Sequence, residues 1–291
     1  MKTLGEVLTL SSHYLKERGV ERGRFLSENI LAHVLGCARM DLYLKWDYPF
    51  SEKELAEYRP LLARLGRKEP VEYVIGEVFF FKERFRVDKR ALIPRQETEI
   101  LLDKICKRLA QLDLKGKVLW DVCSGSGCLG LSLKKIFPDL HVVLSDLSEE
   151  ALDLAKENGA RLGACVEYIH GDLLDPFIGQ KADFFVCNPP YLSAEEYRAA
   201  DSSLRDFEPK LALMGGTSGL EIYKRLADDL PQHLFPGALV FFEIGFSQGE
   251  AINKIFSSEA WISSCLEKDF AGHDRFFFLE FQSFFQVTCS E

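Results

Sequence analysis

The sequence predicts an α/β fold: a parallel sheet covered by helices on both faces, preceded by a small N-terminal helical domain and joined to it by a β-hairpin. Three observations predict it. From about residue 100, short continuous apolar runs alternate with amphipathic segments, the pattern of strands buried on both faces. The first seventy or so residues carry helical periodicity instead. Between them, EVFFFKERFRVDK holds two β-rich runs separated by charge. The expected boundaries are 1–75 for the helical domain, 76–99 for hairpin and linker, and 100–291 for the α/β domain.

In the helical domain Leu4, Val7 and Leu8 begin one apolar stripe. Ile30, Leu31, Val34 and Leu35 form another, with Ser27 as its expected N-cap. Ser51 followed by Glu54 is a capping-box pattern, leading into Leu55, Tyr58, Leu61, Leu62 and Leu65. Pro60 is expected to kink or interrupt that helix. In the α/β domain, helix LLDKICKRLAQL precedes strand KVLWDVC, a glycine-rich turn and LGLSLKKIF. Then follow strand HVVLSD, helix EEALDLAKENGARL, and strands VEYIHGD and ADFFVCNPP. Strand ALVFFEIG, another helix and the closing strand RFFFLEF complete the set.

Composition narrows the class. Hydrophobic residues make up 47% and charged residues 28%, as in soluble globular chains. The apolar stretch RFFFLEFQSFF is broken by Arg275, Glu280 and Gln282, so no transmembrane helix is expected. The N-terminus carries a lysine but no cleavable apolar segment, so no secretory signal is expected. The eight cysteines, Cys289 the last of them, are scattered without a CxxC pair, and the histidines do not cluster. Reduced thiols in a cytoplasm, with no metal, fit that pattern. Net charge is −9: residues 1–75 carry 12 basic against 11 acidic groups, the remainder 24 against 34. An acidic body argues against affinity built on wrapping phosphates.

Candidate site residues lie at strand ends. In DVCSGSGCLG (Asp121 to Gly130), Gly125 and Gly127 permit close backbone approach where a strand turns into a helix. The next strand ends in Asp146, placed either to accept two hydrogen bonds from a ribose diol or, with Ser148, to cap the following helix. The third ends in Asp172, beside which an adenine would lie, and Leu173 offers that ring an apolar wall. Together these predict a nucleoside site at the carboxyl edge of the sheet. Spacing alone leaves a dinucleotide open, since Gly130 stands in the third place of a GxGxxG-like turn.

The fourth strand runs into CNPPY, which decides between the two. An amino group on a planar carbon is a poor nucleophile because its lone pair is delocalised. It accepts a methyl group only when held toward a sulfonium methyl with both hydrogens engaged. Asn188 offers its side-chain oxygen to one hydrogen and Pro189 its carbonyl to the other, while the Asn188 NH₂ needs a further partner. Pro190 holds Pro189 extended, and neither proline has an N–H to compete. Tyr191 is expected to stack on the planar group. No strong base is required, because the proton leaves after the nitrogen has become cationic; positioning carries the chemistry.

These motifs resemble the HemK/PrmC family of protein-(glutamine-N5) methyltransferases. Similarity runs from about Glu69 to Leu279 and includes EPVEYVIGEVFFF, VDKRALIPRQETEILLD, DVCSGSGCLGLSL, SDLSEEAL, GDLL, CNPPYLS, FEPKLALMGGTSGL and FFEIGFSQGEAI. NPPY is shared with DNA and RNA amino-methyltransferases; IPRQETE and EPKLALMGG are far more specific. The resemblance implies a seven-stranded Rossmann-like class I methyltransferase domain with an antiparallel last strand, and S-adenosyl-L-methionine as cofactor. It implies a release factor as partner, with the glutamine of the Gly-Gly-Gln loop as target and the helical domain helping to grip it.

By position, Cys123, Ser124, Gly125, Ser126, Gly127, Asp146, Asp172, Leu173 and Asn188 would hold the cofactor. Asn188, Pro189, Pro190 and Tyr191 would hold the glutamine amide. Arg95 and Glu97 either border the pocket or are charges at a helix start. Three residues depart from the family pattern: Cys123 stands at the first glycine of the turn, Leu173 at a position that is aromatic in some members, and Ser218 at the acidic place of GGxDGL. An adenine amino-methyltransferase and a non-catalytic cofactor-binding partner are the alternatives. The acidic body and the lack of a target-recognition segment after the core speak against the first, the intact NPPY against the second. A dehydrogenase has no use for NPPY. No stable nucleic-acid or membrane partner is expected.

Overall fold

A computed structural model of the chain describes residues 1–282. They form two compact units: Met1–Glu77 with Asp201–Phe207, and Val78–Ala200 with the described residues from Glu208 onward.

In chain order the elements begin with helices α1 (Leu4–Glu17), α2 (Gly23–Val34), α3 (Glu52–Leu65) and α4 (Val71–Ile75). Strands β1 (Glu77–Phe80) and β2 (Glu83–Arg86) pair with each other. Then come α5 (Gln96–Leu109), β3 (Val118–Val122), α6 (Cys128–Ile136), β4 (His141–Asp146), α7 (Glu149–Leu162), β5 (Glu167–His170) and β6 (Ala182–Cys187). Helices α8 (Ala194–Ala199), α9 (Ser202–Phe207, in the first unit) and α10 (Glu221–Asp229) follow. The chain continues through β7 (Leu234–Glu243), α11 (Gly249–Ile255), β8 (Trp261–Lys268) and β9 (Asp274–Phe281).

The helical unit closes around Leu4, Leu15, Ile30, Leu31, Phe50 and Tyr58, all at most 1% exposed. Ser51 and Glu54 form the expected capping box at α3, with Glu54 N–H donating to Ser51 Oγ at 3.3 Å and Ser51 N–H to Glu54 Oε2 at 2.7 Å. Two expectations fail here, one of them in part. Ser27 is no N-cap: α2 already starts at Gly23, after Arg22 in a left-handed conformation (φ 54°), and Ser27 lies buried inside the helix. Of the kink or interruption expected at Pro60, the interruption does not occur, since α3 runs continuously from Glu52 to Leu65. Burial of Tyr58 and Leu65 on either side of Pro60 outweighs the single backbone hydrogen bond it removes.

The second unit is built on a seven-stranded sheet of order β5-β4-β3-β6-β7-β9-β8. The β3–β4, β4–β5, β3–β6 and β6–β7 pairs are parallel, while β9 is antiparallel to both β7 and β8. Alternate residues of each central strand enter separate cores: Leu119, Phe184, Val186 and Phe241 join one, and Trp120, Phe185, Cys187 and Phe242 the other. Both faces are therefore covered, which is why these strands read as unbroken apolar runs. Strand β8 was not expected. Its sequence WISSCLEK is polar, and six of its eight residues are exposed, as suits an edge strand without apolar alternation.

From β3 the chain steps outward through β4 and β5, then returns to the other side of β3 with β6 and β7. The switch point between β3 and β6 opens a crevice at their carboxyl ends, where α/β sheets take ligands. Register makes those ends level, since Val122 is the Cα partner of both Ser145 and Cys187.

Candidate active site

The crevice is a cavity of ≈ 440 Å³ in the second unit, within the range of small-molecule sites. Its floor is the turn after β3. Cys123 (φ 60°) and Gly125 (φ 53°) are left-handed, so Cys123 holds a conformation that suits the glycine of the family pattern better. A Cβ added at Gly125 would meet nothing nearer than the Cβ of Ala91, another lining residue, at 3.9 Å, so the glycine leaves a cradle open to a ligand. Ser124 and Ser126 line the floor, and the buried Ser124 Oγ has no hydrogen-bond partner. Gly127 is not among the wall residues. It is the N-cap of α6, and a Cβ there would come within 2.9 Å of Leu131 and Leu144, so packing requires this glycine.

Asp146 ends β4 and joins the turn to the next helix. Its Oδ2 accepts the Gly125 N–H and its Oδ1 the Ser148 N–H, both at 2.8 Å. Ser148 itself caps α7, accepting the Ala151 N–H at 3.2 Å. Each Asp146 oxygen keeps a lone pair for a hydroxyl donor, while burial raises its pKa above the usual carboxylate value. Asp172 and Leu173 (φ 48°) lie on the same wall. Asp172 is paired with Arg225 of α10, at 2.9 and 3.3 Å.

Across the floor stands the end of β6. Asn188 and Pro190 line the cavity; Pro189 is buried, and Tyr191 is not among the wall residues. The Tyr191 ring packs against the core that holds Phe242 and Tyr223, and burial pushes its hydroxyl up to about 12. The turn is anchored from behind by Gln248, which donates to the carbonyls of Tyr191 (2.9 Å) and Gly219 (3.1 Å). Ser218, at the acidic position of the family loop, donates its N–H to Glu221 Oε1 at 2.9 Å, and Leu220 N–H reaches Glu221 Oε2 at 3.0 Å. An acid three residues on closes the loop.

Arg95 also lines the cavity, at the N-cap position of α5, and is ion-paired with the buried Glu208, which accepts the Ile93 N–H as well. The pair ties the 91–95 strap to the 208–214 segment, and both segments form wall. Glu97 is half-buried and off the wall, in the first turn of α5.

Three polar residues escaped sequence reading. Thr98 lines the cavity, donates its hydroxyl to Glu243 Oε2 at 2.7 Å and accepts from Asn188 Nδ2 at 3.4 Å. Glu243 is fully buried and pushed up to about 7 by desolvation. Asp121, likewise buried and pushed up to about 7, accepts the Gly130 N–H at 2.8 Å and so caps the first turn of α6. The letters IPRQETE and DVCSG contained Thr98 and Asp121, but only the fold reveals their partners. Among the described residues no group of three or more His, Cys, Asp or Glu could hold a metal ion.

Residues 6–76 match the PrmC N-terminal domain, and residues 96–211 the methyltransferase small domain. A release factor glutamine methyltransferase of Chlamydia trachomatis serovar D is 40% identical over 98% of this chain and 97% of its own length. That of Bacillus subtilis is 37% identical (94% and 96%), and that of Geobacter sulfurreducens 34% (94% and 95%). The chain belongs to the release factor glutamine methyltransferases.

Solved structures agree on the fold of such a methyltransferase. A methyltransferase from Pyrococcus furiosus superposes with TM-score 0.51 at 18% identity, covering 68% of this chain and 88% of its own. A T. thermophilus 16S rRNA N2 G1207 methyltransferase does so with TM-score 0.51 at 15% identity, covering 71% and 50%. The cofactor of this methyltransferase is S-adenosyl-L-methionine, and the residues present fit it. The Gly125 cradle, the unpartnered Ser124 hydroxyl and the spare lone pairs of Asp146 face one cavity of nucleoside size.

Proposed function

We propose that this chain transfers a methyl group from S-adenosyl-L-methionine to the side-chain amide nitrogen of the glutamine in the Gly-Gly-Gln motif of peptide chain release factors, modulating translation termination. The observation that carries the proposal is the convergence of the glycine turn, Asp146 and Asn188 on one cavity in a chain of this family. When bound, the cofactor supplies an electrophilic methyl group on a sulfonium sulfur. Cys123, Ser124, Gly125 and Ser126 would hold its amino-acid end, with Gly127 shaping the turn from behind. Asp146 would accept from its ribose hydroxyls, and Asp172 and Leu173 would flank its adenine. Asn188 would stand between cofactor and acceptor.

The chain's own chemistry is positional. Asn188 Oδ1 and the Pro189 carbonyl each accept one hydrogen of the glutamine amide, which holds the nitrogen toward the methyl and counters the positive charge it gains. Pro189 and Pro190 stiffen the turn, and Tyr191 secures it on the core side. Arg95, with Glu97 two residues on in the first turn of α5, borders the acceptor side of the cavity. The surplus proton leaves a cationic nitrogen, so no strong base is needed.

The helical domain (1–75) serves recognition of the folded release factor; 76–99 links it and lends its last residues to the cavity wall, and 100–291 carries the rest of the catalytic site. Release factors act on cytoplasmic ribosomes, and a net charge of −9 suits a protein substrate better than a nucleic acid. No helix among the described residues is long and apolar enough to cross a membrane, and no membrane partner is proposed.

Asn188→Ala is expected to lower kcat by about 10²–10³-fold, the cost of one preorganised hydrogen-bonding group. Calorimetric affinity for the cofactor should change far less. A variant with wild-type kcat would remove Asn188 from the mechanism.

A further inference from the structure

Thr98, Asn188 and Glu243 come from three elements, the start of α5, the end of β6 and the end of β7, and their side chains meet in one chain of hydrogen bonds. The two ends of an asparagine amide have nearly the same shape, yet one donates and the other accepts. An acceptor for a glutamine NH₂ is useful only if the oxygen end faces the cavity. We propose that Thr98 is a positioning residue that sets which end of the Asn188 amide faces the cavity, with the buried Glu243 carboxylate as its anchor. The proposal rests on the glutamine-methylating function above and deepens it.

The direction of the chain follows from what each group can do. Above about pH 7 Glu243 is ionised, and an ionised carboxylate only accepts. The single Thr98 hydroxyl hydrogen is spent on Glu243 Oε2 at 2.7 Å, so the Thr98 oxygen can only accept in turn. It takes the Asn188 Nδ2 at 3.4 Å, and Glu243 also draws on the Asn188 amide. The NH₂ end is thereby committed inward, and Oδ1 is left for the cavity. This supplies the partner that the Asn188 NH₂ lacks in the sequence pattern.

Tyr223 donates its hydroxyl to the Glu243 carbonyl at 2.8 Å, while Arg275 of β9 attracts and Glu97 of α5 repels the carboxylate. Tyr191 and Cys128 feel its negative charge. Burying a carboxylate is costly, and the hydrogen bond from Thr98, which in turn holds Asn188, gives that burial a use.

The test measures methyl transfer to a release factor at saturating cofactor, with cofactor affinity and thermal midpoint measured for every variant. Thr98→Val keeps the shape and removes the hydroxyl. Its kcat is expected to fall about 10–100-fold, the usual cost of losing a residue that orients a reacting group, with cofactor affinity unchanged. Thr98→Ser restores the hydroxyl and should recover kcat to within about threefold of wild type. Glu243→Gln keeps the volume but replaces an acceptor-only group with one that can also donate, so the direction is lost. Its kcat should fall at least about tenfold while its thermal midpoint at pH 8 is maintained or raised.

A structural role alone would lower stability and activity together. Wild-type kcat in Thr98→Val or Glu243→Gln overturns the proposal, as does a Thr98→Ser enzyme as slow as Thr98→Val. If Thr98→Val does not fold, the Glu243→Gln result decides. A wild-type enzyme that leaves the release factor unlabelled refutes the proposed function instead, and so is told apart.

Discussion

Asp121 and Glu243 are carboxyl groups that burial pushes up to about 7, and this gives the enzyme an unusual response to pH. Above that value each folded group is charged at full desolvation cost. As pH falls through 7 the folded group takes up its proton while the unfolded one, titrating near 4, does not, so each contribution to stability improves by about 1.4 kcal/mol per pH unit until about pH 4. The ion-paired carboxylates Asp88 and Glu267, whose values are lowered, behave oppositely, and their stabilisation is lost only in stronger acid. Glu243→Gln should therefore be more stable than wild type near pH 8, with the advantage shrinking between pH 7 and 5. Urea unfolding at those pH values checks this; an advantage that does not vary with pH would contradict it. Residue identities at the strand ends were legible because a parallel sheet gathers its carboxyl ends. Partners such as Glu243 for Thr98, 145 positions apart, leave no local pattern to read.

At the scale of elements, the site is held by side chains that tie loops to helices. Asn158 of α7 accepts the Arg86 N–H at 2.7 Å and donates to the carbonyls of Arg86 (3.1 Å) and Ser126 (3.0 Å), linking the glycine turn to β2. Asn158→Ala should cost about 1–3 kcal/mol for the buried groups it leaves unpaired, and should weaken cofactor binding; a loss below about 0.5 kcal/mol would contradict that role. Behind the NPPY turn, a Cβ at Gly215 would stand 2.3 Å from the Pro190 carbonyl oxygen, with backbone on both sides. Gly215→Ala should thus displace the turn, destabilise by about 1–3 kcal/mol and slow methyl transfer, as unfolding and rate assays on the same preparation would report. Alternating strands and helices were legible from apolar runs, and the α3 capping box from Ser51 and Glu54. Strand β8 was not, because an exposed edge carries no apolar alternation, and the start of α2 was not, because Arg22 offers no capping side chain.

For the whole molecule, the helical unit and the sheet unit each have their own core, and the cavity with all its lining residues belongs to the sheet unit. The proposed chemistry therefore draws on one unit alone, and the proposed recognition of the release factor is assigned to the other. The motifs that carry the family resemblance, IPRQETE and EPKLALMGG, prove to be the two cavity walls clasped by Arg95 and Glu208, which spacing alone could not reveal. The most direct measurement is transfer of labelled methyl from S-adenosyl-L-methionine to three acceptors. These are a release factor, the same factor with its Gly-Gly-Gln glutamine changed to alanine, and duplex DNA. Label is expected on the intact factor alone, and is expected to be lost with Asn188→Ala. Label on DNA, or on both versions of the factor, would contradict the proposed function.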